Sequence, residues 1–121
     1  MTSTLARTVP RAAPPDPADL LLSIDLARGL VRVHGELDRA HAHRLDDAVD
    51  VLRGCSAAQW SIDVSGITYC DAGGLRSLLR AHRTAVQVGR RLVITGPSRM
   101  LARLLALVGS AELHVVAGEN S

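Results

Sequence analysis

The stretch Ser61-Ile62-Asp63-Val64-Ser65-Gly66-Ile67-Thr68-Tyr69-Cys70-Asp71-Ala72-Gly73-Gly74-Leu75 carries the clearest structural signal in the chain. A short apolar strand runs into a tight, polar, glycine-bearing turn, and the turn opens a helix. That order gathers free backbone N–H groups and the positive end of a helix dipole at one exposed spot. Such a spot suits an anion or a docking partner.

Working toward the C-terminus, Leu75, Leu78, Leu79, Ala81, His82 and Val86 recur at helical spacing, and Gly89 closes that helix. Arg91 to Thr95 reads as a strand, Ser98 as an N-cap, and Leu101, Leu104, Leu105 and Val108 as a further helical face ended by Gly109. Leu113 to Val116 reads as a last strand. Toward the N-terminus, Trp60 to Val64 is the strand itself, and Ile67 to Cys70 continues it toward the glycine turn. Before it, Ala42, Leu45, Ala48, Val49 and Leu52 form a helical stripe, with Asp38 as the expected N-cap and Gly54 as the stop. Leu20 to Leu26 and Leu30 to His34 read as strands joined by a turn at Arg28-Gly29, and Gly35 is expected to end the second. The order ββαβαβαβ predicts an α/β fold with a mixed sheet of about five strands, parallel where helices intervene and antiparallel at the first edge. Pro10, Pro14, Pro15 and Pro17 mark residues 1–19 as a disordered N-terminal tail, with the domain at 20–117 and a C-terminal tail at 118–121.

Composition narrows the function. A chain of 121 residues fits one domain, and 47% hydrophobic residues suffice for a core. Phe is absent, so Leu, Val, Ile and Ala must fill that core, and only Trp60 and Tyr69 could stack on bases. A net charge of +2 is too small to argue for nucleic acid. Every basic residue is Arg, which removes Schiff-base and P-loop lysine chemistry. Cys55 and Cys70 make neither a disulfide framework nor a zinc spacing. No apolar run is long enough to span a bilayer and no signal-peptide core is present, so the expectation is a cytoplasmic protein without a membrane span.

Four short motifs carry a family resemblance: Gly35-Glu36-Leu37-Asp38, Asp63-Val64-Ser65-Gly66-Ile67, Asp71-Ala72-Gly73-Gly74-Leu75 and Gly96-Pro97-Ser98. In this order and spacing they resemble the anti-sigma factor antagonist family, or STAS domains, from the second strand to Val116. The resemblance implies a non-enzymatic module that binds an anti-sigma factor, a serine kinase, and so releases a sigma factor for transcription. In that family the kinase phosphorylates a Ser or Thr in a turn resembling Asp-Ser-Ser-Gly-Leu, at the second Ser. Here that position is Gly73, and the preceding Ser position is Ala72. A phosphate would add about −1.5 to −2 charges beside Asp71; glycine has no oxygen to carry one. The chain is then either permanently binding-competent or outside the phosphorylation circuit. The resemblance places Glu36, Asp38, Arg39 and His41 beside Asp71, Ala72, Gly73, Gly74, Leu75 and Arg76 on the partner-binding face. An alternative within the same fold is a STAS subunit of another assembly, such as a lipid-transport ABC complex or a stress-signalling complex.

Each of these residues also has a plainer reading. Asp71 caps the helix, or contacts a partner or magnesium during phosphoryl transfer. Gly73 and Gly74 serve a positive φ, a close strand–helix approach or an open anion cradle. Glu36 and Asp38 are a polar turn and a cap, with no nucleophile in view for acid–base work. His41 and His43 face different directions, and His34, His82 and His114 stand apart, so neither a metal nor a cofactor is assigned. Cys70, at a helix N-terminus, is a small buried residue or a thiol of lowered pKa. Thr68 and Ser77 are the nearest substitute phosphoacceptors, with Ser77 poorly placed for a kinase. Arg76, Arg80 and Arg83 form a solvated face or a patch for an acidic partner.

Overall fold

Apolar residues at every second position of the strands, and at three- and four-residue intervals between them, build two layers that share one core. The computed structural model describes residues 19–109 and 113–116. Among them the elements run β1 (Leu21–Asp25), β2 (Leu30–Leu37), α1 (Ala42–Leu52), β3 (Gln59–Cys70), α2 (Ala72–Gln87), β4 (Arg91–Thr95), α3 (Arg99–Val108) and β5 (His114–Val116). This is the expected ββαβαβαβ order. The strands lie in one sheet in sequence order, β1 antiparallel to β2 and the others parallel. Of the expected tails, 1–19 and 118–121, all but Asp19 lie outside the described residues.

Each crossover steps one strand in the same direction, and with the right-handed connection that parallel strands favour all three helices fall on one face, where their buried residues share one core. A row of register partners, Val31, Ile62 and Ile94, runs beneath them, fully buried with Trp60, Leu45 and Leu78. The opposite face is open. It carries Arg32, Asp63 and Thr95 in one row, with Arg32 Nε 3.8 Å from Asp63 Oδ2. Parallel strands usually bury both faces and read as continuous apolar runs; this sheet buries one, and its strands alternate accordingly.

Three expectations at element ends are corrected. Gly35 does not end β2: it takes φ +100 inside the strand, and pairing continues to Leu37. Its left-handed backbone sits where β3 gains residues on β2, with register shifts between Arg32 and His34 and between Gly35 and Glu36. Asp38 does not cap α1. The N-cap is His41, without a side-chain cap bond, and Asp38 Oδ1 accepts from the His41 amide (3.0 Å) and lies 2.7 Å from its Nδ1. Finally, α2 begins at Ala72, so Gly73 and Gly74 are helical rather than part of a turn.

Ile62 sits at the middle of the buried row, touched from both neighbouring strands and from the helices above. Ile62→Ala is expected to lower unfolding free energy by about 2–5 kcal/mol, read by urea denaturation followed by circular dichroism.

Candidate functional site

The site is built where two crossovers meet at the carboxyl ends of β2 and β3. Glu36 pairs in register with Tyr69 and Leu37 with Cys70, so the turns that follow these strands emerge side by side. Asp71, in extended conformation, caps α2: its Oδ1 accepts from the Gly74 amide at 2.9 Å. Its Oδ2 accepts from the Arg39 amide at 3.1 Å, tying the β2–α1 turn to the helix start. The Gly74 bond first, and the Arg39 bond second, hold the Asp71 carboxyl below its ordinary range.

These contacts choose among the readings of the glycines. Neither Gly73 nor Gly74 is among the positive-φ glycines; both are needed for close approach. A Cβ on Gly74 would fall on the Leu37 carbonyl oxygen. A Cβ on Gly73 would lie 2.7 Å from the Arg39 Cα and Cβ, closer than such carbons come. Position 73 therefore lacks both a hydroxyl and the room for one. The open anion cradle is corrected for a related reason: the Asp71 carboxylate already occupies the helix-start amides.

The structure thus brings Glu36, Asp38, Arg39 and His41 together with Asp71, Ala72, Gly73, Gly74, Leu75 and Arg76 in one neighbourhood. Not all of them face outward. Ala72, Arg39 and Arg76 are exposed, whereas Gly74 and Leu75 are buried and serve packing. Asp38 and His41 satisfy each other.

The substitute acceptors fare differently. Ser77 is fully buried; its single hydroxyl proton is shared between Asp46 Oδ1 (2.9 Å) and the Ala42 carbonyl (3.2 Å), tying α2 to α1. Thr68 is exposed on β3. The lowered thiol pKa considered for Cys70 is overturned: burial, then the neighbouring Asp71 charge, pushes it up to about 11. Among the described residues, no three His, Cys, Asp or Glu side chains converge as a metal site. No described helix is long and apolar enough to cross a membrane. Sequence reasoning missed the Arg39 amide and the exposure of Tyr69, Met100 and Leu107. An exposed residue on an apolar stripe looks the same in sequence as a buried one.

Comparison with known proteins assigns the fold. The family model described as "Mlab, STAS domain" matches residues 20–116. The chain belongs to the STAS domain family. Among solved structures, this STAS domain is similar to the anti-sigma factor antagonist SpoIIAA in its unphosphorylated form, at 15% identity and a TM-score of 0.63, over 84% of this chain and 91% of that one. It is similar to RsbS from Moorella thermoacetica at 19% identity and a TM-score of 0.61, over 84% and 88% of the two chains. The murine Solute Carrier 26 family member A9 anion transporter matches at 16% identity and a TM-score of 0.61, over 77% of this chain but 17% of that one. At these identities the likeness is one of fold. No curated protein sequence matches this STAS domain.

Two outcomes follow from the geometry. Gly73→Ser is expected to destabilise the domain by about 1–3 kcal/mol, because the Arg39 backbone must move, as measured by urea denaturation. Asp71 has a folded pKa below the unfolded value of 3.8, so its contribution is complete above that value and is lost as pH falls through the folded pKa. Asp71→Asn keeps a capping oxygen but removes the titration. The loss of stability on acidification below about pH 4 should therefore be shallower in Asp71→Asn than in the wild type.

Proposed function

We propose that this STAS domain is an anti-sigma factor antagonist-like protein that binds a kinase-type anti-sigma factor without a phosphorylation switch of its own. The observation that carries this is Gly73 lodged against the Arg39 backbone. The fold and the four motifs support the partner class. The filled acceptor position supports a binding state that ATP does not reverse. The contact surface centres on exposed Ala72, Arg76 and Arg39, with Glu36, Asp38 and His41 at its margin and Asp71 holding the two turns together. Nothing in the site combines a nucleophile, a base and oxyanion donors, so the reading is a docking module in the cytoplasm rather than an enzyme.

A second reading is a STAS subunit of another assembly, such as a lipid-transport ABC complex or a stress-signalling complex. It is favoured by the family description, which names Mlab rather than an antagonist, and by the resemblance to one segment of a transporter chain.

The test is biolayer interferometry against the kinase-type anti-sigma factors encoded in the same genome, with and without MgATP. Binding of at least one, unchanged by MgATP and weakened about tenfold or more by the exposed substitution Ala72→Arg, is the expected result. Phosphopeptide mass spectrometry should find no phosphate on Thr68 or Ser77. Folded wild-type protein that binds none of them would exclude the anti-sigma reading, and stoichiometric phosphate on Thr68 would show that the switch has moved.

A further inference from the structure

β1 lies at the edge of the sheet, and among the described residues no strand pairs with its outer side. Such an edge presents a row of unpaired backbone groups, and proteins that stay apart blunt it with a proline, a bulge or a charge pointing inward. β1 has none of these. It pairs with β2 over five residues, Leu21 to Asp25, without a register shift, and its one charge, Asp25, stands at the end. The opposite edge strand, β5, is three residues long.

Leu22 and Ile24 stand on the helix side of the sheet, because their register partners are the buried Val33 and Val31. With Arg44, Asp47, Ala48 and Val51 of α1 they line an open groove of about 270 Å³. Ile24 is 40% exposed and Val51 48%. Arg44 Nη1 donates to the Leu20 carbonyl at 2.5 Å, and Asp47 is exposed and makes no ion pair among the described residues. The groove thus sets one charge of each sign beside an apolar floor.

We propose that β1 is a homodimer interface, at which two copies join antiparallel, edge to edge, about a two-fold axis through Ser23 and normal to the sheet. The sequence of the strand suits its own copy. In that register Leu22 of each copy faces Ile24 of the other, so two apolar pairs meet on the helix side. A slip of one residue would set Ile24 against Ser23 and bring residues of opposite faces together. The same register carries exposed Asp19 of one copy to the turn that holds exposed Arg28 of the other, placing opposite charges at both ends of the interface. Because the axis is normal to the sheet, the two helix layers lie on one side, and Ala48 and Val51 of each α1 flank the joined floor. One Arg44 and one Asp47 per groove let the grooves meet without net repulsion. Pro10, Pro14, Pro15 and Pro17 lack the N–H that a pairing strand supplies, which disfavours the preceding segment of the same chain as the occupant. This pairing is independent of which protein the Asp71 surface binds.

The full chain is followed by sedimentation equilibrium and by light scattering after size exclusion, from about 1 µM to about 1 mM. The expected result is reversible, micromolar association to twice the 12.8 kDa of one chain. Ile24→Lys and Val51→Glu should each weaken it at least about tenfold. Both positions are exposed, and circular dichroism checks that each variant folds. Oxidative cross-linking reads the register. Ser23→Cys sets two thiols opposite each other on the axis, so it should form a disulfide between copies at least about tenfold faster than Leu21→Cys, whose thiols stand about 13 Å apart. The wild type controls for Cys55 and Cys70. A monomer up to about 1 mM would overturn the proposal. Slow amide exchange along β1 in that monomer would assign the edge to the chain's own preceding residues, and fast exchange would leave it to a strand of another protein. A dimer indifferent to Ile24→Lys and Val51→Glu, or cross-linked equally well through Leu21→Cys and Ser23→Cys, would place the interface elsewhere and overturn the proposal as well.

Discussion

Asp71 accepts hydrogen bonds from two backbone amides, Gly74 on its own helix and Arg39, 32 positions earlier in the chain. The first bond starts α2. The second brings the β2–α1 turn across the helix start, which is why Gly73 must lack a side chain and why Gly74 must lie against the Leu37 carbonyl. A charged acceptor bonded to amides in a partly shielded place is stronger than a neutral pair. Remove the bridge and the two crossovers lose their mutual register, and with it the surface formed by Arg39, Ala72 and Arg76.

Most of the element order is legible in the sequence because the two periodicities differ. Trp60, Ile62 and Val64 alternate, whereas Leu75, Leu78, Ala81 and Ala85 recur at three- and four-residue steps. The misses share a cause: they are positions whose conformation depends on another segment. Gly35 looks like a strand end until β3 supplies the extra residues that a left-handed residue accommodates. Asp38 looks like a cap until His41 takes its carboxylate. Gly73 and Gly74 look like a turn because glycine is a poor helix former, yet crowding by Leu37 and Arg39 demands glycine within the helix. The site was visible as two neighbouring turns, while the amide that joins them has no side-chain signature. Cys70 shows the same limit, since position at a helix start argues for a reactive thiol and burial beside Asp71 argues against it more strongly.

The absence of a hydroxyl at position 73 is therefore a property of packing as well as of residue identity. A hydroxyl could be written back by one codon, but the space for it could not, because the obstacle is backbone on the facing turn. Ser77, the nearest hydroxyl along the helix, is committed to joining α1 and α2.

Strand order equal to chain order has a kinetic side. Each new strand pairs with the one made just before it, and each helix folds back on a sheet edge that already exists. Each parallel pairing still closes a crossover of about thirty residues, from Val31 to Ile62 and from Ile62 to Ile94, and non-local pairing of this kind goes with slower folding than local contacts do. A nascent chain leaving the ribosome can add one βα layer at a time, its hydrophobic row growing from Val31 to Ile62 to Ile94. The outermost strand, β5, is the last of the five in chain order, so the sheet acquires that edge last.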